Sequence, residues 1–557
     1  MVRATFSGFN TALSALQANQ KRLDITGQNL SNMNTAGYTR QQLEASSLNY
    51  TNPVSHYSNG NETAVGFGVS MDRVSQIRDP YLDIQYRSQS ADCSYTNRLQ
   101  TALNSLSKVL DETTISGIRQ AFDDIQSTLT SMQDPAKVSD PIYESELRTK
   151  MQSVCNLFNQ ASRQITQAEQ NEFQRLTGEG SSEQGDVQKI NDILRQIGDL
   201  NVQIKRNQVA GHPSLELQDE RNLLLDELSG YIPIETRYYK DDAHSGNNAY
   251  DYDANGAVIG KKDWPDDLEV SMNYIDAQGK SQKLILVNGS DLGADGLTKN
   301  YGQLSVLKGD HQTAASVSDP ANISIKFEKA PSYKGKGQAA ADVYAELKGI
   351  RFEGGSLQAS LDMLQKTGTG NVINGSTAVD DVRGYQYYSG KLDQLALTFA
   401  KSMNDINNGK NHTDKNLLSN STDDSTNDIT AGNIGISKGW TSGTIHISTD
   451  GTNRTDTVLD MIAAMKDTTK LNGKTFADYM NNLSTQLASD SSSNQTALKT
   501  GTTVLNSIQD SRDSLSGVSL DEEATNMMAY VSAYNAASRL MTALDEVLNT
   551  LISNTGA

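Results

Sequence analysis

The chain has 557 residues and carries 48 Lys and Arg against 67 Asp and Glu, for a formal charge of −19. That balance argues against nucleic acid and against a membrane surface as partners, because both reward basic patches. Only 36% of the residues are hydrophobic and 6% aromatic, so the core is thin for the length and an elongated, multi-domain build is expected.

All nine prolines fall between Pro53 and Pro331, which leaves the first 52 and the last 226 residues free of them. Long helices are therefore permitted at both ends. At the first end, Phe6, Phe9, Leu13, Leu16, Leu23 and Leu30 follow steps of three and four, with Gln20 and Gly27 as weak rungs of a heptad seam. The Asn- and Gly-rich run from Asn29 to Gly37 should end this helix, and an extended segment should begin at Tyr38. Periodicity predicts further helices over about 80–110, 118–132, 141–176, 187–207 and 215–228, and later over 357–364, 392–406, 458–465 and 476–515. Between them, residues 231–388 hold 12 of the 22 tyrosines, and apolar residues alternate at Leu268-Val270-Met272-Tyr274, Leu284-Leu286 and Ile323-Ile325-Phe327. This stretch reads as a β-rich insertion. A second small β piece is expected at Gly443–Ser448. The closing helix places Leu520, Met527, Tyr534, Met541 and Leu548 seven apart, flanked by Val531, Ala537, Leu544 and Leu551. Asp521, Glu522 and Glu523 crowd its first turn, where carboxylates suit the helix dipole, and Ser519 with Glu522 has capping-box spacing.

The expected architecture is α+β and multi-domain. Residues 1–40 and 516–557 form a terminal helical bundle or coiled coil, 41–234 and 346–515 a helical inner domain, and 235–345 the β-rich outer insertion.

Little in the sequence has the pattern of a chemical site. Cys93 and Cys155 stand 62 positions apart on helical patterns, which reads as two small buried hydrophobes rather than a zinc site or disulfide framework. Asp251-Tyr252-Asp253-Ala254-Asn255-Gly256 matches the first half of a calcium loop, but Lys262 stands where a bidentate glutamate is needed. A hairpin turn is the expected outcome there. Asn472-Gly473-Lys474-Thr475 ends like a phosphate loop, yet Thr468 replaces its leading glycine, so it too reads as a turn. The six histidines are scattered without ligand spacing. Neither a catalytic set, a metal site nor a cofactor is expected. No apolar run approaches a membrane span, and the first 23 residues lack a signal-peptide core.

The run Thr26–Gln41, TGQNLSNMNTAGYTRQ, resembles the N-terminal signature of the axial proteins of the bacterial flagellum, and its Gly37-Tyr38-Thr39-Arg40-Gln41 ending is closest to their hook-associated branch. The C-terminal SGVSLDEEA from Ser516 and MAYVSAYNA from Met528 are similar to the same family's closing helix. Inner segments at Arg78–Leu82, Leu200–Ile204, Asp219–Ser229, Gly354–Leu357 and Leu392–Ala396 extend the resemblance, which misses roughly 235–345 and 410–455. The motif residues carried over are Asn29, Asn32, Asn34, Gly37, Tyr38, Arg40, Gln41, Asp521, Glu522 and Glu523.

The resemblance implies a structural subunit at the junction of hook and filament, built as a homo-oligomeric ring. Its neighbours would be the hook protein and a second hook-associated junction protein. A cytosolic export chaperone would hold the C-terminal helix until the chain leaves, unfolded, through the flagellar type III apparatus to an extracellular site. Residue physics supports one step separately: two narrow stripes from opposite chain ends can pair, but a pair alone covers its seams only partly. Phe6, Phe9, Leu13, Leu16, Leu23, Leu30, Leu520, Met527, Val531, Tyr534, Met541 and Leu548 are the expected assembly residues. Other readings are a hook-like axial protein, a cell-wall hydrolase using a carboxylate pair in the insertion, and an adhesin displaying that insertion.

Overall fold

The computed structural model describes residues 2–48, 68–110, 112–138, 140–240, 250–252, 258–261, 266–275, 280–289, 300–309, 312–328, 345–346, 351–368, 372–373, 376–377, 382–409, 413–449 and 451–555. Thirteen helices are seen among them: α1 (Val2–Asn32), α2 (Pro80–Val109), α3 (Glu112–Ser131), α4 (Pro135–Val138), α5 (Pro141–Thr177), α6 (Asp186–Val209), α7 (Leu215–Tyr231), α8 (Gly355–Gln365), α9 (Tyr385–Asn408), α10 (Lys438–Ser442), α11 (Asp456–Met465), α12 (Phe476–Ser516) and α13 (Leu520–Thr555). Each helix expected from periodicity is present, with ends set by local chemistry. The carboxylates of Asp79 and Asp140 accept from the N–H groups of Tyr81 and Ile142, with Pro80 and Pro141 in the first turn where their missing N–H costs nothing. Gly178, at φ 77°, closes α5 in the left-handed conformation. Thr475 caps α12 by accepting from the Asp478 N–H, and Asn472 and Gly473 just before it both have positive φ, as a turn rather than a phosphate loop requires.

The strands are small and antiparallel. A ribbon of β1 (Gln41–Ser47) and β2 (Val69–Gln76) lies against α1. In the middle region β3 (Glu235–Lys240) and β7 (Ser281–Asn288) both pair with β6 (Asp266–Ile275), and β8 (Gln303–Lys308) pairs with β9 (Ile323–Glu328); between β3 and β6 lies the short ribbon of β4 (Tyr250–Tyr252) and β5 (Val258–Lys261). Leu268, Val270 and Met272 of β6 are wholly buried, as the alternation required. Of the calcium-like run, Asp251 and Tyr252 lie in β4, while 253–257 and Lys262 lie outside the described residues.

One expectation fails. Gly443–Ser448 joins no ladder: Gly443 closes α10 in the left-handed conformation at φ 74°, and the small ribbon nearby is Leu418–Asn420 with Ile434–Ile436. Asn407 explains why. Its carboxamide accepts from the Ser448 N–H (2.8 Å) and donates to the His446 carbonyl (3.2 Å), so a side chain satisfies backbone groups that a strand partner would have taken.

A continuous apolar core runs from Leu99 of α2 through the middle helices and the sheet residues to Leu487 of α12. Phe122, Phe158, Phe399 and Phe476 meet there with ring centroids 5.2–6.0 Å apart. Cys155 is buried in this core, its thiol pushed up to about 12 by burial, and Cys93 is buried with Sγ 3.4 Å from Thr502 Oγ1; both are free thiols. Neither α1 nor α13 contributes a described residue to this core.

Candidate assembly interface

Helices α1 and α13 pack on one another in antiparallel fashion, outside the main core. Among the described residues, the fully buried positions of the pair are not the large apolar residues of the heptads. On α1 the buried positions are Ala12, Ala18, Asn19, Ile25, Thr26 and Asn29; on α13 they are Glu523 and Ala537. A Cβ built on Gly8 would sit 3.4 Å from the Leu544 methyls, so the two helices approach closely at that end. Close approach selects small residues, and the larger ones are displaced to the flanks.

The structure places the expected assembly residues accordingly. Leu13 is 46% exposed, while Phe9, Leu16, Leu23 and Leu30 are half-buried. On α13 Leu520, Val531 and Tyr534 are exposed, and Met527, Met541 and Leu548 are half-buried beside α1. The Phe6 side chain lies outside the described residues. Sequence reasoning did not single out Met528, Leu540, Val547 and Ile552, which are also exposed, so α13 carries a long apolar outer surface. Among the described residues no helix is long and apolar enough to cross a membrane.

The motif residues are concentrated at the other end of the pair, in a latch. Asn29, 1% exposed, is its hub: its Oδ1 accepts from the Tyr38 hydroxyl (2.9 Å) and the Gln41 N–H (3.0 Å), and its Nδ2 donates to the Gln41 carbonyl (2.9 Å) and Glu523 Oε2 (3.4 Å). Arg40 donates to Glu523 Oε1 at 2.8 Å and to Glu522 Oε2 at 2.7 Å, while its own N–H donates to the Ser516 carbonyl. Glu523 is 2% exposed, so its charge requires that partner. The expected capping box is thereby altered. Ser519 Oγ reaches the Glu522 N–H only at 3.5 Å, and the Glu522 carboxylate goes to Arg40 instead of closing the box. Gly37 turns the chain at φ 77°. Asn32 donates to the Gln28 carbonyl of its own helix, and Asn34 and Asp521 are exposed.

Below the latch a second charged layer joins the terminal pair to the inner helices. Asp219 of α7 accepts from the Thr39 hydroxyl (2.6 Å) and N–H (3.1 Å). Burial pushes the Asp219 carboxyl up to about 6, against the pull of those two bonds and of Arg78. Arg78 pairs with Asp83, Arg87 with Asp226, and Arg512 with both Asp83 and Asp226 while stacking over the Tyr86 ring at 4.3 Å. A cavity of about 820 Å³ opens beside this layer, lined by Tyr38, Arg78, Leu223, Asp226, Arg512 and Glu522 among others. Sequence reasoning had noted the Arg78–Leu82 and Asp219–Ser229 segments but no role for them, because apart from Arg78 and Asp83 the partners lie some 140 to 430 positions apart and leave no trace in local spacing. Among the described residues no group of three or more His, Cys, Asp or Glu could hold a metal ion.

The terminal helix pair lies outside the main core and carries the Asn29–Gln41 motif at one end, an arrangement that fits a flagellar axial protein. Family models agree. Residues 9–39 match the flagella basal body rod protein model, 511–554 the C-terminal model of the flagellar basal body rod FlgEFG proteins, and 103–263 the helical domain of flagellar hook-associated protein FlgK. Flagellar hook-associated protein 1 of Bacillus subtilis (strain 168) is 28% identical over 572 residues, covering 99% of each chain. The proteins of that name from Salmonella typhimurium and Escherichia coli (strain K12) are each 28% identical over about 230 residues, 41% of this chain and 38–39% of theirs. The chain is thus of the flagellar hook-associated protein 1 type. A solved flagellar hook junction protein FlgK from Burkholderia pseudomallei aligns at a TM-score of 0.37 and 18% identity over 61% of this chain and 44% of that one.

Proposed function

We propose that this chain is a structural subunit of the junction between flagellar hook and filament, and that it works by packing rather than by chemistry. The observation that carries the reading is the terminal pair: it lies outside the core, seals its seam with small residues, and leaves Leu520, Met528, Val531, Tyr534, Leu540, Val547 and Leu551 exposed along one helix. A helix pair of this kind reaches full burial only against neighbours. In the proposed assembly those neighbours are further copies in a ring, with the hook protein on one side and a second hook-associated junction protein on the other. Residues 1–40 with 516–557 act as the polymerising unit, and the helical body and β-rich insertion project outward. Before export the same exposed stripe of α13 is the natural seat of a cytosolic chaperone, and the assembled subunit is extracellular.

Deleting 520–557 tests the reading in cells. Hooks should still form, and filaments should fail to attach. Normal filament attachment by that deletion would exclude the junction role.

A further inference from the structure

Three contacts fix how α1 lies along α13. Gly8 meets Leu544, the Arg22 guanidinium lies over the Tyr530 ring at 5.6 Å, and Asn29 reaches Glu523. Gly8, Arg22 and Asn29 are separated by fourteen and seven residues, and so are Leu544, Tyr530 and Glu523. The helices therefore run in one heptad-matched antiparallel register over their whole overlap, with no slip. Heptad repeats also make a slip of seven cheap, because the same face returns after two turns. Between the contacts the buried positions are Ala12, Ala18, Asn19, Ile25 and Thr26 on α1 and Ala537 on α13; Asn19 is engaged by Arg22 of its own helix, and Ala537 carries no side-chain polar atom that could select a partner. Small apolar seams hold helices together but do not say which residue faces which.

We propose that the Arg40–Glu522/Glu523–Asn29 latch is the register key of the terminal pair, with the Arg22–Tyr530 stack as its secondary tooth. Asn29 and Glu523 are 1% and 2% exposed. A shift of seven would bury the Glu523 charge away from Arg40 and leave the four-bonded Asn29 carboxamide without its partner on α13, a cost the alanine seam cannot offset. Arg40 is itself anchored, since its N–H donates to the Ser516 carbonyl and its carbonyl accepts from the Ile77 N–H. The key is thus tied to the body and transfers the body's frame to both helices. Arg40, Glu522 and Glu523 act as positioning residues: they set where the outer stripe of α13 is presented, and touch no neighbour themselves. The inference rests on the assembly reading for its biological consequence, but its test does not.

Thiol cross-linking of the purified full-length protein reads the register directly. Cysteines at Gly8 and Leu544 report the observed frame, and cysteines at Gly8 with Ala537 or Leu551 report frames slipped by one heptad; Cys93 and Cys155 are buried and serve as the background. With the latch intact, the 8–544 pair should dominate. Arg40→Ala should lower it relative to the slipped pairs by about a hundredfold, the scale expected for an unpaired buried carboxylate. Arg40→Glu alone should do the same, and Arg40→Glu combined with Glu522→Arg and Glu523→Arg should restore the 8–544 product. Far-UV circular dichroism separates loss of register from loss of fold, because the body helices dominate that signal. Undiminished 8–544 cross-linking in Arg40→Ala, or no recovery in the charge-reversed triple variant despite folded bodies, would overturn the proposal. Motility of the same variants then tests the assembly reading on its own: correct register without filament attachment would count against that reading and not against the key.

Discussion

The terminal pair and the helical body solve the same problem in opposite ways. In the body, four phenylalanines from four helices interlock, and Leu106, Ile125, Leu147 and Leu194 are buried completely, so side-chain shape specifies the arrangement. In the terminal pair glycine and alanine line the seam, large apolar residues face outward, and a buried Arg–Glu–Asn cluster at one end does the specifying. A core built from large complementary residues is self-sufficient. A seam of small residues is not, and what it leaves exposed is available to neighbours. On the proposed assembly reading, the contrast divides a part made to be finished alone from a part made to be finished by neighbours.

The sharpest way to break this contrast is to damage the body. Phe158→Ala removes a ring from the fully buried cluster, and truncation there should cost about 4 kcal/mol in the main unfolding transition, read by chemical denaturation. The junction with α13 should be affected only through global unfolding. If the main transition barely moves, the body does not owe its stability to interlocked side chains.

Breaking the latch comes next. Arg40→Ala leaves the buried Glu523 carboxylate with Asn29 as its remaining partner, and should weaken docking of α13 by about 3 kcal/mol. The loss is local: amide hydrogen exchange should speed up along α13 and the end of α1, with the body unchanged. Uniform deprotection of both regions would mean that the two do not respond separately.

A smaller effect comes from Asp219, which joins the two regions by holding Thr39. Its carboxyl is raised to about 6 in the folded chain, against about 4 for an unfolded aspartate. The folded state therefore holds this proton more tightly. Stability from this group is fully present below about pH 4 and lost as pH rises past about 6, a swing of at most about 3 kcal/mol. Asp219→Asn should flatten that part of the melting-temperature profile; an unchanged slope between pH 4 and 6 would assign it to other groups.

Much of this was legible in the sequence, and unevenly so. Helices announced themselves through periodicity, and β6 and β9 through alternation, because each signal is local. Gly443–Ser448 has the same local look and is no strand, because Asn407, some 40 positions away, takes its backbone groups. The heptads of α1 and α13 were equally visible, but periodicity reports that residues share a face and not which face meets the partner. Gly8 and the alanines decide that, and a small residue carries no signal on a hydrophobic scale. Tyr38, Arg40 and Gln41 stood out only as a motif. The partners of Thr39 and Arg40, which are Asp219, Glu522 and Glu523, are remote in the chain, so the latch became legible only when folding brought them together.

The smallest effect on the isolated chain should come from the outer stripe, and it separates the two regions most cleanly. Val531 and Met528 are 43% and 65% exposed, and neither shares the heptad position of Glu523, Tyr530 and Leu544, which meet α1. Val531→Ser with Met528→Ser removes apolar surface that water already reaches, so the monomer should change by no more than about 0.5 kcal/mol. In an assembly the same side chains are covered, and each would forfeit roughly 1–2 kcal/mol of burial at every subunit contact. Repeated around a closed structure, that loss multiplies with the number of contacts, whereas the monomer feels it once. Thermal melting of the purified double variant should therefore overlay the parent, while filament attachment in cells fails. A variant that attaches filaments normally would show that this face of α13 stays exposed in the assembly, and would shift the interface to the half-buried flank formed by Leu16, Leu23 and Leu30 of α1.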